Sequence, residues 1–172
     1  MKILFAKLFC WIGHFGQKRK YTGEWYYVHP FEVESIVSQY CKNTNVRCAA
    51  LMHDLVEDTW VKPWMIRLLF GCAVAQYVSE VTDVSKPSDG KRKVRKEIDR
   101  NHLAGASYGG QTIKCADLIS NTKSIVEHDE DFARIYLKEK DLLIQVLVRA
   151  DPFLLERAKQ SLHESWQQLT GI

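Results

Sequence analysis

His53-Asp54-Leu55-Val56-Glu57-Asp58-Thr59 puts an imidazole and three carboxylates directly after an apolar run, Arg47-Cys48-Ala49-Ala50-Leu51-Met52. That run holds good helix formers and neither Gly nor Pro, which predicts a helix continuing through the acidic stretch. On such a helix His53 stacks beside Glu57, and Asp54 beside Asp58, one turn apart. Three carboxylates this close repel one another unless something positive sits among them, and a divalent metal ion meets that need. An acidic helix end surfacing into water explains a lone His-Asp pair just as well. Companion residues elsewhere in the chain favour the metal.

Two further segments carry chemistry. The first runs Gly16-Gln17-Lys18-Arg19-Lys20, Tyr21-Thr22-Gly23-Glu24, then His29-Pro30. Its three consecutive cations suit phosphate groups, and an arginine can also stack on a base. The second is Thr112-Ile113-Lys114-Cys115-Ala116-Asp117-Leu118-Ile119-Ser120-Asn121. There Asp117 is flanked by apolar residues and needs a partner, and Asn121 lies one helical turn on. Taken together, His29, His53, Asp54 and Asp117 form a ligand set of two imidazoles and two carboxylates. Such a set suits a first-row divalent ion such as Mn²⁺, Fe²⁺ or Zn²⁺. The ion would acidify a water molecule and act as a Lewis acid on a phosphoryl oxygen. Glu57 and Asp58 would flank it, placed to orient or deprotonate the attacking water.

The order and spacing of these segments resemble the HD-domain phosphohydrolases, and more narrowly the hydrolase domain of the Rel/Spo family. The matching strings are Gly16-Gln17-x-Arg19-Lys20-x-x-Gly23-Glu24-x-Tyr26-x-x-His29-Pro30, then His53-Asp54-x-x-Glu57-Asp58-Thr59, then Lys114-x-Ala116-Asp117-x-x-x-Asn121. The resemblance implies Mn²⁺ held by His29, His53, Asp54 and Asp117, with Glu57 and Asp58 as the water-activating pair. It implies nucleotide contacts from Arg19, beside the guanine base, and from Lys20, Tyr26 and Asn121. The implied reaction removes the 3′-diphosphate of guanosine tetra- or pentaphosphate as pyrophosphate, leaving GDP or GTP. The length of the chain points to a stand-alone hydrolase without a synthetase domain. Two residues depart from the family pattern. Trp25 stands where proline is usual and offers a stacking surface. Ser120 stands where His or Tyr is common before the Asn, on the pocket wall. Both bear on substrate, and the alternative reaction is removal of the 2′-phosphate of NADPH. A protein that binds an alarmone without cleaving it is a third reading, against which the intact Glu57-Asp58 pair argues.

The elements that must position these groups read as helices. Periodicity predicts them over roughly 2–15, 31–42, 45–57, 62–69, 72–82, 91–101, 110–126, 129–149 and 152–169. Residues 21–27 suit a turn or hairpin, and Gly109-Gly110 reads as a break before a helix. Residues 85–90 form the longest polar loop, and the chain beyond about 126 reads as packing. The expected fold is all-α, one domain over residues 1–172.

Composition sets outer limits. The chain has 172 residues, 46% hydrophobic, with a formal net charge of +3. That mild balance, with no aromatic residues interleaved in the basic cluster Arg92, Lys93, Arg95 and Lys96, gives no sign of nucleic-acid binding. The cluster reads either as a wet helix face or as a guide for an anionic nucleotide. The five cysteines form no C-x-x-C pair and read as small buried hydrophobes in a reducing compartment. The apolar start, residues 1–12, is interrupted by Lys7 and too short to span a bilayer, so it reads as an amphipathic first helix. The expectation is a cytoplasmic protein with a small-molecule nucleotide partner, no membrane partner and self-association into a homo-oligomer as an option.

Overall fold

The computed structural model describes residues 1–171, with Lys123 described by its backbone alone. Among the described residues the regular structure is helical throughout, as the periodicity predicts. The chain forms α1 (Lys2–Gly13), α2 (Val28–Tyr40), α3 (Thr44–Ala50) and α4 (Leu55–Asp58). It continues with α5 (Pro63–Phe70), α6 (Cys72–Val81), a 3₁₀ turn over Pro87–Asp89 and α7 (Arg92–Ala104). Then come α8 (Tyr108–His128), α9 (Glu130–Ile144) and α10 (Pro152–Thr170).

Local chemistry sets most of the boundaries. The Asn43 carboxamide accepts from Asn45 N at 2.9 Å and starts α3. Asp151 caps α10 by accepting from Phe153 N and Leu154 N, with Pro152 in the first turn. Gly71 separates α5 from α6 at φ +90, a conformation L side chains rarely adopt. Helix α8 is the central post. It packs against α2, α3, α6, α9 and α10, and Ile113, Cys115, Ala116 and Leu118 bury its apolar side.

Three expectations need correcting. The helix expected over 45–57 is two helices. After Ala50 the chain tightens: Met52 N donates to Ala49 O at 2.9 Å, and Leu55 N donates to Met52 O at 3.1 Å. The Ala50 carbonyl, which a continuing helix would give to a backbone amide, is taken instead by His53 Nδ1 at 2.8 Å. The imidazole therefore closes α3 and turns the chain at the site. Secondly, Gly109 and Gly110 do not precede a helix but lie in the first turn of α8. A Cβ on Gly109 would lie 2.7 Å from Tyr77 Cε1, and one on Gly110 2.5 Å from Glu80 Oε2. Those glycines permit close approach to α6. Thirdly, the chain beyond 126 is more than packing, because α9 supplies Glu139, Lys140 and Leu143 to a cleft beside the acidic residues.

Residues 16–27 form a tight excursion. Lys18 and Trp25 pair in a single antiparallel bridge, and Arg19 N donates to Glu24 O at 2.8 Å. Gly16 and Gly23 turn it at positive φ. The excursion carries Arg19 and Tyr26 toward α8 and α4. Cys10, Cys41, Cys48 and Cys115 are buried and free, while Cys72 is exposed.

Candidate active site

Three segments bring the expected metal-binding side chains together. His29 comes from the first turn of α2, His53 and Asp54 from the turn between α3 and α4, and Asp117 from the middle of α8. His29 Nε2 lies 3.2 Å from Asp117 Oδ1 and 3.5 Å from Asp54 Oδ2. His53 Nε2 lies 3.1 Å from Asp54 Oδ1 and 3.6 Å from Asp117 Oδ1. Ligand atoms of His29, His53 and Asp54 all fall within 4.8 Å of one another.

The outer nitrogens of both histidines are committed. His53 Nδ1 faces the Ala50 carbonyl, which only accepts, so this nitrogen carries the proton. His29 Nδ1 lies 2.9 Å from Ser120 Oγ, and that hydroxyl donates to Glu32 Oε2 at 2.6 Å. Ser120 therefore accepts from His29 Nδ1–H. Both Nε2 atoms are left facing inward, buried and without a hydrogen-bond partner among the described residues. Nε2 lone pairs aimed at carboxylate oxygens repel them, so the group calls for a cation at its centre. The donor set and the two bare nitrogens fit a first-row divalent ion.

Charge reinforces this reading. Burial alone would raise Asp54 and Asp117, but opposite charges overcome it and hold both carboxyls below the usual range. His53 does so for Asp54, and Lys114 foremost for Asp117. Burial likewise opposes a charge on His53, yet Asp54 and Asp117 hold it well above the ordinary histidine value. Without a metal ion, a proton on His53 is the substitute cation.

The flanking acids diverge. Asp58 and Asp54 share the Tyr26 hydroxyl, at 3.0 and 2.8 Å from their Oδ2 atoms. One O–H cannot donate fully to two carboxylates, and burial followed by Asp54 pushes Asp58 upward. Glu57 turns the other way, accepting from Asp83 N at 2.8 Å. Burial of its carboxyl, then Asp83, push it up to about 7, although part of the side chain meets solvent.

The expected nucleotide-contacting residues divide. Arg19 Nη2 donates to Asn121 Oδ1 at 3.1 Å, and Asn121 Nδ2 donates to Asp117 Oδ1 at 2.6 Å. Arg19, Asn121 and Tyr26 thus adjoin the ligand group. Lys20 stands apart, 3.8 Å from Asp129 and close over the Tyr21 ring. Trp25 faces a different recess, lined with Trp11, His14, Phe15, Gly16 and Tyr27. Ser120 acts on His29 rather than on a pocket wall.

Other functional candidates escape a sequence reading. Lys114 reaches Asp117 Oδ2 at 2.8 Å. Burial opposes its charge, but Asp117 and Asp83 outweigh it and hold Lys114 above the usual lysine range. Its place between Ile113 and Cys115 was the available signal, since a cation in an apolar stretch needs an acid. Lys140 is lowered to about 8 by burial and then by Lys114, and nothing in its charged surroundings marked it out. These two lysines, with Lys96, Arg100, Asp54, Glu57, Asp83 and Asp99, line a cleft of about 80 Å³. A groove of about 450 Å³ shares Lys96 and Arg100 and adds Arg92, Lys93 and Lys138. Lys96 is tied to Asp83 at 2.7 Å, and Arg92 to Glu139 at 2.7 Å. His14 is buried, with its ring 4.7 Å from that of Tyr26.

Comparison with known proteins agrees with this geometry. The HD domain family matches residues 6–106. A guanosine-3′,5′-bis(diphosphate) 3′-pyrophosphohydrolase of Drosophila melanogaster is 35% identical over 115 residues, 65% of this chain and 63% of its own length. A probable enzyme of the same name from Mycoplasma pneumoniae is 29% identical over 119 residues, 64% of this chain. The chain spans only 16% of that relative and 17% of the corresponding Mycoplasma genitalium protein. A solved structure, described as a metazoan ortholog of SpoT that hydrolyzes ppGpp, aligns over 97% of this chain and 94% of its own. Its TM-score is 0.84 at 26% identity. With more than half of its length matched, and the His-Asp pair of α3–α4 at the centre of its buried charged group, the chain belongs to the HD-domain family.

Proposed function

We propose that this protein is a cytoplasmic, Mn²⁺-dependent hydrolase that removes the 3′-diphosphate of guanosine tetra- or pentaphosphate, releasing pyrophosphate and GDP or GTP. Residues 1–172 act as one HD-type unit. The observation that carries the proposal is the pair of buried histidine Nε2 atoms, without hydrogen-bond partners among the described residues and directed at two carboxylates. The ion is held by His29, His53, Asp54 and Asp117. When bound it supplies Lewis acidity toward a phosphoryl oxygen and makes water a stronger acid.

The protein groups do the rest. Ser120 and the Ala50 carbonyl hold the imidazoles in the required tautomer. Glu57, whose carboxyl sits near 7, accepts the proton of the attacking water. Asp58, through Tyr26, steadies Asp54 and orients that water. Arg19 offers a planar cation for the base, and Asn121 links it to the centre. Lys96, Arg100, Lys114 and Lys140 line the cleft beside Asp54 and Glu57 and offset the charge of the phosphates.

The test offers guanosine tetraphosphate and NADPH separately, with Mn²⁺ and with chelator, and separates products by anion exchange. GDP plus pyrophosphate, only with metal and only with Asp54 intact, is the expected result. Phosphate released from NADPH alone moves the reaction to a 2′-phosphate. Full turnover by Asp54→Ala overturns the ligand assignment.

A further inference from the structure

One feature of the molecule that hydrolysis leaves unused is an apolar face built from α1 and α5. Helix α1 buries Ala6, Phe9, Cys10 and Gly13, yet its outer side is equally apolar: Leu4, Phe5, Leu8, Trp11 and Ile12 are all exposed, as is Phe15 just beyond its end. The face continues onto α5. Phe5 stacks on Phe70 with ring centroids 5.0 Å apart, and Trp60, Trp64, Leu68 and Leu69 are exposed beside it. Leu4 and Leu68 are each 74% exposed. Single exposed leucines are ordinary, but an apolar patch this extended marks an interaction surface.

Its charge says what covers it. Helix α1 carries Lys2 and Lys7, the latter 3.6 Å from Glu34, and no Asp or Glu of its own. Helix α5 and its N-cap add Arg67 and Lys62, again with no acid. A second copy docked through a two-fold axis would set this patch against itself, cations facing cations. An anionic lipid surface meets both properties: its acyl boundary takes the apolar side chains, and its headgroups take the lysines and arginines. Tryptophan and phenylalanine suit that boundary. No helix among the described residues is long and apolar enough to cross a membrane, so the contact is peripheral.

We propose that the α1–α5 face docks this protein on the surface of a bilayer containing anionic phospholipid. This holds whether or not the hydrolase reading does.

The experiment mixes the full chain with phosphatidylcholine vesicles, or with vesicles that also contain phosphatidylglycerol, and separates them by flotation. Trp11, Trp60 and Trp64 lie on the face, so a blue shift of tryptophan emission reports contact. Floating with the anionic vesicles, weakened by added salt, is expected. Leu4→Glu/Leu68→Glu should bind at least about ten-fold more weakly, having lost apolar burial and gained repulsion. Its circular dichroism and thermal midpoint should stay unchanged, because both side chains are exposed. No association with anionic vesicles overturns the proposal. So does an association that the double variant leaves intact, and so does a dimer in solution that the double variant dissolves, which would assign the face to a second copy.

Discussion

Replacing Lys114 with Met tests how the charged centre is balanced. Lys114 Nζ lies 2.8 Å from Asp117 Oδ2, with side chains 15% and 7% exposed. At an effective dielectric constant of about 20, opposite charges at that separation attract by about 6 kcal/mol. Desolvation of both groups offsets much of this, but removing one partner leaves the other buried and uncompensated. Such deletions cost about 3–5 kcal/mol. Lys114→Met should therefore lose about 3–5 kcal/mol in urea unfolding of the metal-free protein. For a chain of this size that corresponds to a midpoint about 10 °C lower. A divalent ion at the centre replaces the missing positive charge, so saturating Mn²⁺ should stabilise the variant more than the parent. In metal-free protein Lys114→Met/Asp117→Asn should recover much of the loss, since no buried charge is then stranded. A single variant within about 0.5 kcal/mol of the parent, with the same response to Mn²⁺, would refute the reasoning.

Other outcomes follow from the same geometry. Ser120→Ala removes the group that fixes the His29 tautomer and should weaken divalent-ion affinity by about 10–100-fold, measured by calorimetric titration. Because the ion competes with the proton that Asp54 and Asp117 hold on His53, its affinity should rise with pH and protons should be released on binding, which titration in buffers of different ionisation enthalpy reports. Glu57 has a folded value of about 7 against an ordinary 4.5, so its proton is favoured by folding. The stability it contributes is fully present below about 4.5 and lost as pH climbs through about 7. The urea midpoint of metal-free protein should fall over that range, and Glu57→Gln should remove this part of the fall. Lys140 lies near 8, so KM should rise as pH passes that value, and Lys140→Met should flatten the rise.

The all-α fold was legible in the sequence, and so was the gathering of the polar groups. The amphipathic period located helices because burial demands it, and the His-Asp, Ala-Asp and His-Pro strings located the polar groups that such burial must satisfy. The break after Ala50 was not visible, because it depends on a histidine side chain taking a carbonyl in preference to the next amide. Gly109 and Gly110 looked like a boundary because their role, admitting Tyr77 and Glu80, is set by a helix distant in sequence. Ser120 marked a departure whose consequence needed a partner, Glu32, from another helix. Lys140 stood in a run of charges typical of a wet surface, and only the packing of α9 over the cleft places it beside Asp54 and Glu57. Lys20 and Trp25 share the motif that supplies Arg19 and Tyr26, yet the tight excursion turns them to other neighbours.

The central claim is that one divalent ion sits among His29, His53, Asp54 and Asp117. Crystals soaked in Mn²⁺ and measured at the manganese absorption edge test it directly. The account predicts a single strong anomalous peak in contact with His29 Nε2, His53 Nε2 and carboxylate oxygens of Asp54 and Asp117, absent from crystals of Asp54→Ala. No peak there, or one held by other residues, would contradict it.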